Sequence, residues 1–88
     1  MNKIRRKMLV EWVKKAEEWA TQGERLRDEL ENICSDEQDY FDNMPENLQG
    51  SMRGMDAEEA IDAINEAIES MNNAIEAAED AASCVDEI

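Results

Sequence analysis

Residues 57–88 read AEEAIDA (57–63), INEAIES (64–70), MNNAIEA (71–77), AEDAASC (78–84) and VDEI (85–88), nearly a tandem repeat of seven. Three columns of the repeat stay small or apolar. The first holds Ala57, Ile64, Met71, Ala78 and Val85, the fourth Ala60, Ala67, Ala74 and Ala81, and the fifth Ile61, Ile68, Ile75 and Ala82. Apolar residues therefore recur at alternating steps of three and four, which on a helix gathers them into one coiled-coil seam. With the fifth column at a and the first at d, the alanines fall at g. Small side chains there widen one flank of the seam and make it an expected oligomer interface. This is a packing face, not a catalytic arrangement.

Working back toward the N-terminus, a second seam runs Leu9, Trp12, Ala16, Trp19, Gly23, Leu26, Leu30, Ile33, Glu37 and Tyr40, again in threes and fours. Asn2 is placed to cap its first amides, so the first helix is expected over about residues 2–40. Gly23 costs about 1 kcal/mol relative to alanine in a helix interior. Because the seam resumes in phase after it, the helix is expected to continue, with Gly23 marking a kink or a close backbone approach.

Between the seams, FDNMPENLQGSMRGMD (41–56) breaks the pattern. Pro45 disfavours helical geometry at Met44. Asn43 is expected to cap a short turn over Pro45–Leu48 that Gly50 ends, with Gly54 as a second flexible point. Asp56 then caps the second helix, about 57–87, with Glu59 in the position of a capping box. Leu48, Met52 and Met55 are expected to fold over the end of the hairpin.

The fold class that follows is all-α: one antiparallel helical hairpin over residues 1–88, coiled-coil-like and dimerising into a four-helix bundle. With Tyr40 near Ala57, Ile33 is expected to meet Ile64, Leu26 to meet Met71, Trp19 to land on Ala78 and Trp12 to lie near Val85. In that register the second seam shrinks from isoleucine to alanine where the first places its tryptophans, as volume matching requires. Cys34 falls opposite residue 63, far from Cys84, so two free thiols in a reducing cytoplasm are expected.

Charge narrows the function. The 88 residues hold 23 acids, nine Lys and Arg and no histidine, a net charge of −14. Residues 1–27 carry eight of the nine bases against four acids, and residues 28–88 carry only Arg53 against nineteen, so +4 is followed by −18. Such a surface opposes nucleic acid over most of the molecule and favours basic protein partners. No stretch approaches the roughly 20 apolar residues of a membrane span. MLVEWV is too short for a signal peptide and is interrupted by Glu11, so the cytoplasm is the expected location. The N-terminal Lys3, Arg5, Arg6, Lys7, Lys14 and Lys15 around Met8, Leu9, Val10, Trp12 and Val13 also fit a membrane-surface helix. The tryptophans, however, already have a seam to fill.

Two surfaces are candidates for recognition. Glu59, Asp62, Glu66, Glu69, Glu76 and Asp80, followed by Glu87, line the b and f positions with no Lys or Arg on that helix to pair with them. A solvated face normally mixes both signs. The row is thus expected either to be a solvated face that keeps the protein soluble or, being one-signed, to dock on a basic groove, as a mimic of a phosphate backbone would. The second surface is the loop, where Tyr40, Asn43, Asn47, Gln49, Ser51 and Arg53 offer hydrogen-bonding groups and one cation for an anionic ligand.

Enzymatic readings lack their usual groups. Without histidine there is no common general base. The cysteines have no spacing for zinc, and no acidic stretch follows a calcium loop. No metal, cofactor or catalytic residue is expected.

The stretch YFDNMPENLQGSMRG (40–54), followed by AEEAID repeats, resembles a type of small acidic protein encoded by bacteriophages and prophages, a group without an established activity. The resemblance covers the loop and the second helix. It implies a bacterial cytoplasm under phage infection, where such proteins act by binding and blocking a host or defence component. The expected function is thus a non-enzymatic phage or prophage inhibitor acting through its acidic surface or its loop. Two alternatives are an oligomeric sponge for an anionic small molecule, such as a signalling nucleotide, and a structural assembly module.

Overall fold

A computed structural model describes residues 1–88. It is all-helical and hairpin-like, 69 Å long and 14 Å in each other dimension. Helix α1 spans Lys3–Asp42, the single turn α2 spans Glu46–Gln49, and α3 spans Met52–Asp86. The expected cap is present: Asn2 Oδ1 accepts the Arg5 N–H at 2.8 Å. Nothing breaks α1 at Gly23, which is buried inside the helix. A Cβ built on Gly23 would lie 3.0 Å from Ile75 Cγ1, so the glycine marks a close approach of α1 to α3.

The second long helix starts five residues earlier than its capping pattern suggests. Ser51, not Asp56, is the N-cap of α3, and its hydroxyl accepts the Gly54 N–H at 3.5 Å. Asp56 and Glu59 lie inside the helix, because the first amides are already satisfied upstream. Asn43 ends α1 instead of capping the next turn, donating its N–H to the Asp39 carbonyl at 3.0 Å. Pro45 precedes α2 with no side-chain cap, and Gly50 closes that turn as expected. Gly54 is not a flexible point: it is helical and buried against the backbone of Gln49.

The two long helices meet along a seam that shares only half of its expected α1 positions. Leu9, Ala16, Gly23, Leu30 and Glu37 face α3, as the periodicity predicts. The alternate positions are Val13, Ala20, Arg27, Cys34 and Phe41, each one residue after the expected Trp12, Trp19, Leu26, Ile33 and Tyr40. Those five large side chains are 43–54% exposed. The reason is interhelical distance. Val13 and Ala20 are buried, and Gly23 nearly touches Ile75, a spacing that leaves no room for an indole between the backbones. The tryptophans are displaced to the flank of the seam.

The register between the two long helices follows the expected one within two residues. Arg27 Nη1 donates to Asn72 Oδ1 at 3.1 Å, and Cys34 Sγ approaches Asn65 Oδ1 at 3.5 Å. Cys34 and Cys84 are both free. The resulting core is thin: eight of 88 residues are buried, namely Val13, Ala20, Gly23, Gly54, Ala57, Ile61, Ile75 and Ala82.

A first test concerns the close approach. Gly23→Ala gains about 1 kcal/mol of helix propensity and crowds Ile75, whose side chain must shift by a few tenths of an ångström. The two effects offset, and urea unfolding of the variant is expected within about 1 kcal/mol of the parent. A loss above about 3 kcal/mol would show that Ile75 cannot yield.

Candidate functional site

Three surfaces carry the candidate residues. The first is the acid row. Glu59, Asp62, Glu66, Glu69, Glu76 and Asp80 are all exposed, and none forms an ion pair or a side-chain hydrogen bond. The molecule's two ion pairs both belong to Arg27, with Asp28 at 3.3 Å and Glu31 at 3.9 Å on its own helix. The acids of α3 therefore project a field that no base of α1 neutralises by contact. Helical spacing puts them at b and f, turned away from the seam and from the alanines at g.

The second surface is the tip. Tyr40, Asn43, Ser51 and Arg53 line one open groove with Met44, Pro45, Leu48 and Met52. Asn47 is exposed outside that lining, and Gln49 turns the other way. The Gln49 amide donates to the carbonyls of Phe41 and Met44, both at 3.3 Å, and so secures the end of α1. The Ser51 hydroxyl is also engaged, donating to the Leu48 carbonyl while capping α3. Of the six loop candidates, two thus have structural tasks. Arg53 is exposed and forms no ion pair. Leu48, Met52 and Met55 do not plug the end, being 48%, 75% and 52% exposed. Near that end Phe41 and Met44 are half-buried, and Gly54 and Ala57 are buried.

The third surface lies outside the expected sites. Trp12, Trp19, Leu26, Ile33 and Tyr40 are spaced by seven and form one exposed apolar column along α1. Trp12 and Trp19 share an apolar groove with Ala74, Ala77, Ala78 and Ala81 of α3. The column thus lies on the same side of the hairpin as the expected interface alanines. Of those, Ala60, Ala67 and Ala74 are half-buried and Ala81 is exposed. One step farther round α3, at c, stand Ala63, Ser70, Ala77 and Cys84. Neither α3 column on this side contains a charge, in a chain that is 36% charged. The signal was present in the sequence: residues 12 and 13, and 19 and 20, are both apolar, so either column could have filled the seam.

No helix is long and apolar enough to cross a membrane. Comparison with known protein families, curated proteins and solved structures finds no match to this chain.

Proposed function

We propose that the chain is a non-enzymatic binding protein that works as a homodimeric four-helix bundle and blocks a partner with a basic surface. The observation that carries the reading is the exposed apolar column beside a charge-free alanine face, on a hairpin with only eight buried residues. Small domains with thin cores gain stability by association. Exposing Trp12, Trp19, Leu26, Ile33 and Tyr40 together leaves an apolar patch of the kind that marks interaction sites. Pairing two such faces keeps Glu59, Asp62, Glu66, Glu69, Glu76 and Asp80 on the outside, where a one-signed row attracts a basic groove. In the phage setting that the loop resemblance implies, that partner is a host or defence component in the bacterial cytoplasm.

A second reading rests on the tip groove. Tyr40, Asn43 and Arg53 converge there, and Arg53 suits an anionic small molecule. It makes the assembled protein a sponge for that ligand instead of an inhibitor.

The acid row provides the test. A variant with Glu59, Asp62, Glu66 and Glu69 all changed to amides is expected to fold normally, with stability level or raised by a few tenths of a kcal/mol per relieved like-charge pair. It is expected to lose the protein partner that the wild type retains in pull-downs. Wild-type capture should itself weaken between low and physiological salt, because exposed charges are screened over about 8–10 Å. Equal recovery by both proteins at both salt concentrations rules out the acidic-surface mechanism. Loss of the partner, or of a bound small molecule, only on Arg53→Ala moves the site to the tip.

A further inference from the structure

Resting on the self-association proposed above, we infer that the second copy of this chain docks antiparallel to the first, with the tips at opposite ends and Leu26 at the two-fold axis. Three observations lead there. The exposed column has Leu26 as its middle member, with Trp19 and Trp12 on one side and Ile33 and Tyr40 on the other. An antiparallel pair centred on Leu26 sets Trp12 beside Tyr40 of the second copy and Trp19 beside Ile33 of the second copy. Aromatic side chains then meet at both ends of the stripe, and leucine meets leucine at its centre. The contact is isologous, so it closes after two copies.

Length gives the second argument. At 1.5 Å per residue along α1, Leu26 lies about 35 Å from Lys3, close to half the length of the hairpin. The hairpin is 69 Å long, so a two-fold there overlaps the copies along almost their whole length. A face 69 Å long and 14 Å wide covers on the order of 900 Å², slightly more than the ~800 Å² each partner contributes to a standard stable interface.

Charge along α1 favours the antiparallel direction. Residues 1–27 carry +4, whereas residues 28–42 contain seven acids and no base. The antiparallel arrangement lays the basic half of each α1 against the acidic half of the other. Lys15, which flanks Trp12, comes beside Asp36 of the second copy, which flanks Tyr40. Placing the tips together lays the large column over the second copy's alanines, but it also brings Asp36, Glu37, Asp39, Asp42 and Glu46 of both copies to one end with only Arg53 to offset them. Like charges across an interface disfavour that pairing.

The test measures distance and mass together. A nitroxide is attached at Glu46→Cys in a chain whose Cys34 and Cys84 are replaced by serine, and spin–spin distances are read by pulsed electron resonance alongside light scattering. A dimer with labels about 50 Å apart or more, twice the Leu26–Asp42 rise that separates each tip from the axis, is the expected result. A dimer with labels closer than about 30 Å overturns the antiparallel arrangement and leaves self-association standing. A monomer at tens of micromolar overturns both. As a second readout, Lys15→Glu is expected to weaken the dimer roughly threefold to tenfold, since exposed pairs contribute little each. Adding Asp36→Lys should restore the affinity. If the double change fails to restore it, Lys15 and Asp36 are not neighbours and the proposed register is wrong.

Discussion

Replacing Gly54 with alanine is expected to lower stability by about 2–3 kcal/mol, although alanine is the better helix former by about 1 kcal/mol. The added Cβ would fall 1.9 Å from Gln49 O, 2.4 Å from its carbonyl carbon and 2.8 Å from its Cα. All three are backbone atoms of α2, so no side-chain rotation relieves the overlap. The turn must move away from α3, and with it the Gln49 amide that holds the Phe41 and Met44 carbonyls. Conformational freedom is not the issue, because no glycine here has a positive φ. Gly50 is the internal control. A Cβ at Gly50 meets nothing within 4 Å, and Gly50→Ala should be neutral or stabilise by a few tenths of a kcal/mol through the unfolded state. For a domain of this size the Gly54→Ala loss corresponds to a fall in Tm of roughly 10–20 °C. Equal melting of the two variants would show that α2 does not sit against the start of α3.

The second large effect is expected at Trp19. Truncation of a tryptophan buried in a core costs about 3–5 kcal/mol of folding stability, and the sequence periodicity alone places Trp19 there. In the structure its side chain is 53% exposed on the flank of the hairpin. Trp19→Ala is therefore expected to leave the helical content of the chain nearly intact and to act on association instead. Central aromatic residues of an interface are worth about 2–4 kcal/mol on truncation, so the dissociation constant of the proposed dimer should rise roughly 30-fold to 1000-fold. Sedimentation over a concentration series, with circular dichroism on the same samples, separates the two effects. A dissociation constant unchanged by Trp19→Ala would remove the exposed column from the interface. Concentration-independent melting of the wild type would remove the dimer itself.

The contrast at Trp19 illustrates how much of this fold was legible. The heptads of residues 57–85 define a helix and its buried columns without help from the rest of the chain, and Ile61, Ile75 and Ala82 are buried where they predict. For α1 the same reasoning stops one step short. Its periodicity marks an apolar face containing both the Trp12 and the Val13 columns, and volume favoured the tryptophans as the seam. Gly23 held the missing clue, as the point where α1 and α3 approach too closely for indoles on their line of contact. A sequence pattern gives the direction of a face to within about a residue, whereas interhelical distance depends on both partners.

The candidate sites divide in the same way. The acid row is a local property: helical spacing alone puts Glu59, Asp62, Glu66, Glu69, Glu76 and Asp80 on one exposed strip. The tip was less legible, because the hydrogen-bonding groups that suit recognition also suit capping. Only the folded chain shows Gln49 and Ser51 engaged with backbone carbonyls while Arg53 forms no ion pair.

By itself the sequence determined the helical class, the two long elements, the free cysteines and the polarity of charge along the chain, because each depends on residues within a few turns of one another. Tertiary structure decided the rotation of α1, the burial of Gly54 and the exposure of the Trp12–Tyr40 column, because close packing is settled by the joint volume of two surfaces.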